Sequence, residues 1–440
     1  MFLRSLFTVI LVLTGTGSSF AQDSNYWTEQ FGNRARLLGG AVIGGANDLS
    51  AVYYNPGALA LVGEPQLLLS GNVFEYSTLE VADALGEGRP LDSSRFTLSP
   101  SLFAGEIKTG NPKNRFAYAF LTRYQSEARI NDAGTITAIL PNAAFSSVST
   151  VVNARLSEYW IGGTFARQLS DTVGIGVSPF LAVRNNRLQT QALMQAVSTG
   201  DEQAIGVAGR DFDYQYWRMV FKGSIAAEWQ QWNLGVTATL PSIGLFGSGD
   251  RSVDRSFVVQ NGPGEVTTDS QNGLSAFYKS PLSIAFGAGR RFGKARVQLA
   301  AEWFDSLPVT TILDAEPFAS QATVEVFDVD VGYALESVTN FAVGVDYQFS
   351  PDLGTYFRFH TNFTPTPSGN LSNDTVARWD IYHVSGGATI SVVGSELTLG
   401  GIYAFGTAPV GSNEVGLERT LEATYTRVTF IVGFNFLLGR

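Results

Sequence analysis

The sequence predicts an all-β protein, a transmembrane antiparallel β-barrel, and three observations carry that expectation. Apolar and polar residues alternate over long stretches, aromatic residues gather at the ends of those stretches, and the composition suits a surface that does not face water. The chain has 440 residues with 47 Gly, 31 Phe and 16 Tyr, yet only 15% of it is charged. Alternation is clearest in 424–436, where Val428, Phe430, Val432, Phe434 and Phe436 share one face. Arg427, Thr429, Gly433 and Asn435 share the other, and Ile431 is the exception. Segments 296–304 and 341–349 repeat the pattern, with Val297, Leu299, Ala301 and Trp303 opposite Arg296, Gln298 and Glu302 in the first. A period of two sends such sets to opposite faces of a sheet. A soluble sandwich alternates as well. Here, however, Gly and small polar residues recur on the second face, as in a wet or filled lumen. Trp229, Trp232, Trp303, Phe349 and Phe436 sit at segment ends like an interfacial girdle. Lipid cannot satisfy an open strand edge, so the sheet has to close on itself.

Taken in order, the candidate strands are 65–80, 93–108, 115–130, 148–168, 173–190, 211–230, 232–246, 273–292, 295–307, 337–350, 354–363, 376–393, 396–406 and 422–436. Fourteen is an even number, which leaves both barrel ends on the periplasmic side. Connectors after even strands are tight, and those after odd strands run from 12 to 29 residues, the usual asymmetry of periplasmic turns and outer loops. Residues 308–336 have room for a further hairpin, because 323–331 also alternates. The chain ends Phe436-Leu-Leu-Gly-Arg440. The aromatic residue that closes most outer-membrane barrels therefore lies a few positions inside the end, or the last strand runs past 436.

Residues 1–21 read as a secretory signal, with Arg4, an apolar core over 6–13 and a small-x-small site at Ser19-Phe20-Ala21. The apolar run is shorter than the ~20 residues a membrane-spanning helix needs. There is no cysteine, so no lipoprotein anchor, disulfide or thiolate metal site can form. Formal net charge is −10, and loss of Arg4 with the signal makes it −11. That balance argues against nucleic acid as a partner, because phosphate binding needs a basic face.

Between signal and barrel, residues 22–64 form a third region. Its centre, GGAVIGGANDLSAVYYNPGAL at 39–59, is glycine-rich, carries one charge at Asp48 and closes on Asn55-Pro56-Gly57-Ala58-Leu59. Glycine permits close backbone approach, and Pro56 restrains Asn55 toward extended geometry. Further on, Leu98-Ser99-Pro100-Ser101-Leu102 places a proline within the second strand, and Pro281 opens another. Together these features resemble the FadL-type outer-membrane transporters (the OMPP1/FadL/TodX family). The resemblance implies a 14-stranded barrel over 65–440 with 22–64 as a plug in its lumen, located in the outer membrane of a Gram-negative bacterium. It implies passive uptake of hydrophobic small molecules, long-chain fatty acids or aromatic hydrocarbons, with exit sideways through the wall. Expected partners are then the substrate, outer-membrane lipid and the barrel assembly machinery, and no cofactor or enzymatic activity is expected.

Individual residues can be weighed against that frame. Asn55, Pro56 and Gly57 are the candidate plug anchor and gate. Pro100 removes a ladder donor in mid-strand; it marks a plain bend, or it opens the wall toward the third strand. Arg218 and Lys222 lie on an inner face opposite Trp217, Met219 and Phe221, where they can receive a carboxylate head group or pair with lumen acids such as Glu228 or Glu302. Arg123 and Arg358 share that ambiguity. His360 and His383 are the only histidines, too isolated for a catalytic pair or a metal site. Gly287-Ala-Gly289-Arg-Arg-Phe-Gly293 lies within a strand and so is not a phosphate loop. Two other readings remain: a non-transporting surface barrel that binds a partner through loops such as 247–272, and a general porin for polar solutes.

Overall fold

In a computed structural model, the described residues are 25–45, 48–63, 66–83, 88, 90–135, 143–198, 200, 202–260, 262, 264–321, 326–327, 330–367, 378–392, 394–410 and 421–437. The expected signal at 1–21 lies outside them.

Among the described residues twenty strands occur: β1 (Gln66–Val81), β2 (Leu91–Ile107), β3 (Asn114–Thr135), β4 (Ala143–Ser170), β5 (Val173–Ser198), β6 (Gln203–Trp229), β7 (Trp232–Thr239), β8 (Ile243–Val259), β9 (Glu265–Ser275) and β10 (Ser283–Phe292). They continue with β11 (Ala295–Phe304), β12 (Leu307–Leu313), β13 (Phe318–Ala319), β14 (Val326–Phe327), β15 (Val331–Leu335), β16 (Val338–Ser350), β17 (Leu353–Asn362), β18 (Asp380–Val392), β19 (Ser395–Val410) and β20 (Leu421–Leu437). All pairings are antiparallel. β7 and β8 both pair with β6, so they are one wall strand interrupted at Leu240-Pro241-Ser242. β9 and β10 are likewise one strand, interrupted around Pro281. Counted this way the ring has fourteen strands, and it closes where β1 ladders against β20 from Gln66↔Leu437 to Val81↔Ala423. The hairpin expected in 308–336 does exist as β12–β15 and β13–β14, but it prolongs two wall strands and adds none to the ring.

Period-two sequence becomes two-sided wall. On β6, Arg218, Val220, Lys222 and Ala226 are buried inward while Ile225 and Trp229 face out. Trp229, Phe292, Phe349 and Phe436 are exposed beside the tight turns and mark that rim of the barrel. Trp232 and Trp303 are only half-buried.

The expectation of long outer loops needs correction. β4, β5, β6 and β8 run far beyond their apolar portions, so residues 191–210 and 247–272 are mostly strand rather than loop. Above the apolar band the outward positions are polar (Asn185, Arg187, Gln189 on β5), so the contrast between faces that reveals a strand in sequence fades although the backbone ladder continues.

Residues 25–45 and 48–62 lie within the barrel and are almost wholly buried. They contain α1 (Asn33–Leu37), α2 (Ala51–Tyr54) and a 3₁₀ turn at Pro56–Leu61. Helices this short are not stable alone; inward-facing wall residues hold them. Ser178 Oγ donates to Val52 O at 2.8 Å, Thr237 Oγ1 to Tyr54 O at 2.7 Å, and Ser385 Oγ to Leu37 O at 3.1 Å. Asn25 Nδ2 donates to the carbonyls of Asn362 and Trp379 at 2.7 and 2.8 Å. Asn362, which also fits a glycosylation sequon, is therefore buried and engaged.

Candidate functional site

The wall is weakest between β2 and β3. Their ladder runs from Ile107↔Phe116 to Leu102↔Leu121 and stops there, although β2 continues back to Leu91 and β3 on to Thr135. Local chemistry explains the stop. Pro100 has no N–H to donate. Its neighbour Ser101 is bulged out of the β1–β2 register, which passes from Ser70↔Leu102 to Gly71↔Pro100. Across the gap Arg123 is bulged in the same way, the β3–β4 register passing from Thr122↔Tyr159 to Tyr124↔Glu158. A bulge bends its strand and re-aims the extra side chain, and here both extra side chains are buried. Higher up, the strands meet again through polar groups: Arg95 and Glu127 are 3.5 Å apart, and the Arg129 N–H donates to Ser93 Oγ at 3.4 Å. A seam in the wall results.

Behind the seam lies the start of the N-terminal segment. Ser101 Oγ donates to Gln30 O at 2.9 Å and Arg123 Nη2 to Tyr26 O at 2.7 Å. Between these points Arg427 on β20 donates to Thr28 O at 2.7 Å and to Glu29 Oε1 at 2.6 Å. Residues 26–30 are thus strapped across the inner mouth by both bulge residues and a third strand. A cavity of about 60 Å³ opens beside them, lined by Thr28, Glu75, Arg95, Tyr124, Glu127 and Arg427 among others. Buried polar atoms near the inner mouth, Thr122 Oγ1, Arg123 Nη1, Tyr26 OH and Arg427 Nε, have no hydrogen-bond partner among the described residues. The Tyr26 ring stacks on Phe304 with centroids 3.9 Å apart, and the Arg123 guanidinium lies 4.3 Å from the Tyr124 ring centroid. The mouth is therefore aromatic with a few polar hydrogens and lone pairs unspent, the surface expected where an apolar molecule with a small polar group rests.

The Asn55-Pro56-Gly57 motif docks on β5 and β6 rather than on the first strand. Asn55 accepts from the Ala58 N–H at 3.3 Å and so caps the 3₁₀ turn. Its amide donates to Ile43 O at 2.7 Å and to Ile225 O on the wall at 3.2 Å. The Gly57 N–H donates to Ser224 Oγ at 2.7 Å. Backbones touch here: a methyl group on Gly57 would lie 2.7 Å from Gly174 O, and one on Gly176 would overlap the Pro56 carbonyl.

Arg218 and Lys222 are inward and buried as expected, but they do not share a site. Arg218 Nη2 is 2.7 Å from Glu158 Oε1, and Arg184 Nη1 is 3.2 Å from Glu158 Oε2. Both guanidiniums cover the Tyr278 ring, at 4.1 Å for Arg184 and 4.9 Å for Arg218. The partner acid is therefore Glu158, not Glu228 or Glu302; Arg218 Nε also donates to Ser280 Oγ at 3.2 Å, and its Nη1 has no partner among the described residues. Lys222 differs. Its Nζ donates to Thr239 Oγ1 at 2.8 Å and sits 4.5 Å over the Tyr53 ring of the N-terminal segment, with no described carboxylate in ion-pair contact. Glu158 was legible in principle as a charge at an inward position between Leu156 and Trp160. Ser101 and Tyr26 carried no sequence signal. His360 and His383 face each other on β17 and β18 with rings stacked at 4.1 Å, and Arg358 Nη1 is 2.6 Å from His360 Nδ1. Among the described residues no group of three or more His, Cys, Asp or Glu could hold a metal ion.

A closed antiparallel barrel with an apolar outer face, a seam in its wall and its own N-terminal segment inside defines a transmembrane β-barrel with an occupied lumen. No family model matches the chain, and no curated protein does. Solved structures do. The toluene transporter TodX of P. putida is similar at 13% identity, covering 94% of this chain and 99% of its own, with a TM-score of 0.64. A FadL homologue of Pseudomonas aeruginosa has 14% identity, 94% and 99% coverage and a TM-score of 0.56. The toluene transporter TbuX of Ralstonia pickettii has 11% identity, 93% and 98% coverage and a TM-score of 0.55. The chain has the fold of the FadL-type channels.

Proposed function

We propose that this protein is an outer-membrane channel for passive uptake of hydrophobic small molecules, with residues 25–62 as its plug and the β2–β3 seam as its exit into the bilayer. The single observation that carries the proposal is the ladder that stops at Leu102↔Leu121 with the strap 26–30 immediately behind it. A pore for polar solutes needs an open axis, which a plug at residues 25–62 would deny it. An apolar cargo instead gains by leaving sideways into lipid, because its apolar surface then never crosses periplasmic water. Proteins with this fold are described as toluene transporters, and CymD as a monoaromatic hydrocarbon channel, which supports hydrophobic cargo. Asn55, Pro56 and Gly57 would anchor the plug, Pro100 would keep the seam open, and Arg123 and Lys222 would meet any polar end of the cargo. The surface-barrel reading loses its main support, since the segment 247–272 on which it relied is largely strand.

Uptake of a labelled long-chain fatty acid and of labelled toluene by cells with and without the protein tests the proposal. Faster uptake of one or both is expected; equal rates for both probes would leave the surface-barrel reading ahead.

A further inference from the structure

The outward residues of β3 to β8 change character rung by rung. One cross-strand row reads Tyr159–Val183–Trp217–Phe246 and closes the apolar band. The next row up is neutral and polar: Gln125–Ser157–Asn185–Gln215–Ser248. The third is charged: Glu127–Arg155–Arg187–Asp213–Asp250. In the fourth, Arg129 stands opposite Asn153. From the last apolar row to Arg155 is four residues along β4, about 10 Å of height at the usual ~3.3 Å rise and ~40° tilt. Arginine side chains reach several ångströms back toward such a boundary. These guanidiniums therefore stand at the depth of the lipid head groups.

Arg155 and Arg187 are direct cross-strand partners, and like charges in that position repel. Acids flank the pair on both sides, Glu127 opposite Arg155 and Asp213 opposite Arg187, but none lies between the two arginines. Glu127 is engaged by Arg129 at 2.6 Å and by Arg95 at 3.5 Å, and Arg187 reaches Asp211 at 3.3 Å. Arg155 makes no ion pair with any described residue, and both Arg129 and Arg187 are largely exposed, at 77% and 59%. Neither arginine of the opposed pair supports the plug or the seam. A chain with net charge −10 that sets two arginines side by side at head-group depth is equipped for an anion there.

We propose that Arg155 and Arg187, flanked by Arg129, bind the phosphate of a phosphorylated lipid head group in the outer leaflet. Guanidinium and phosphate pair through two parallel N–H···O bonds, and a phosphate between the two arginines turns their repulsion into a shared attraction. The site is continuous with the lipid-facing band below it, which favours a head group over a soluble anion. It serves lipid anchoring, not cargo.

The full chain in detergent micelles, titrated with diphosphorylated lipid A and followed by native mass spectrometry, tests this. Wild type should prefer the phosphorylated lipid over its dephosphorylated form. The R155Q/R187Q variant should bind about tenfold more weakly, as loss of charge-assisted phosphate bonds requires. K113Q, at the periplasmic turn, should bind like wild type. R155Q alone provides a milder variant with an intermediate loss should the double variant fold poorly. Equal binding of the two lipids by wild type, or unchanged binding by R155Q/R187Q, would overturn the site. Full displacement of the lipid by 10 mM inorganic phosphate would overturn its assignment to a lipid.

Discussion

Asn55 shows how much one buried amide can organise. Its oxygen caps a turn, and its nitrogen joins the loop carbonyl of Ile43 to the wall carbonyl of Ile225. Asn55→Ala should leave those buried groups unpaired at about 1–3 kcal/mol each. The expected result is leakage of small polar solutes in a liposome-swelling assay, while the heat-modifiable gel mobility of the barrel stays unchanged. Glu158 holds a different kind of contact, a carboxylate shared by two buried guanidiniums. Glu158→Ala strands both cations, a loss of about 3–5 kcal/mol for a broken buried pair, and should lower the thermal unfolding midpoint more than Asn55→Ala does. Ile431, the lone break in the alternation of the last strand, is also explained at this scale. It faces inward and is buried, two residues from Gly433, where an added side chain would overlap Asn33 of α1. Where the lumen is filled by protein rather than water, an inward apolar residue is no exception.

At the scale of elements, β2 and β3 are the pair that matters. Pro100 and the two bulges shorten their ladder to six rungs. Pro100→Ala restores a donor without adding bulk, so it should tighten the seam and slow uptake by about two- to tenfold while the barrel still folds, as expected for a strand proline that serves to interrupt pairing. The absence of native cysteine allows a direct complement. Ser93→Cys with Arg129→Cys, joined by a reducible bifunctional thiol reagent, should block uptake until reductant is added; unhindered uptake through the joined seam would place the exit elsewhere. How far these elements could be read from sequence varied with their surroundings. Strands whose outer face meets lipid were legible, because lipid demands apolar residues at every second position. Their upper halves were not, because water on the outer face accepts almost any polar residue and the two faces no longer differ. The proline at 100 was visible, but the bulges at Ser101 and Arg123 were not, since a bulge is a mismatch between two strands and neither strand alone contains it.

For the whole molecule, the central question is whether the N-terminal segment obstructs the axis. Wild type in a planar bilayer should show almost no steady conductance, and deletion of residues 26–50 should open large currents. If small-solute leakage and substrate uptake were unchanged by that deletion, the plug proposal would fail. By itself the sequence determined the number of wall strands and which of their faces is apolar. Each of these rests on local properties: a period of two, turn residues, and stretches without charge. Only the tertiary structure decided what lies behind the seam. Tyr26 and Gln30 meet Arg123 and Ser101, Asn25 meets Trp379, and Arg427 meets Thr28. Those partners are separated by roughly 70 to 400 positions along the chain. They come together because closure of the barrel confines the segment beside them, and hydrogen bonds made in that confined space leave no periodic mark in the sequence.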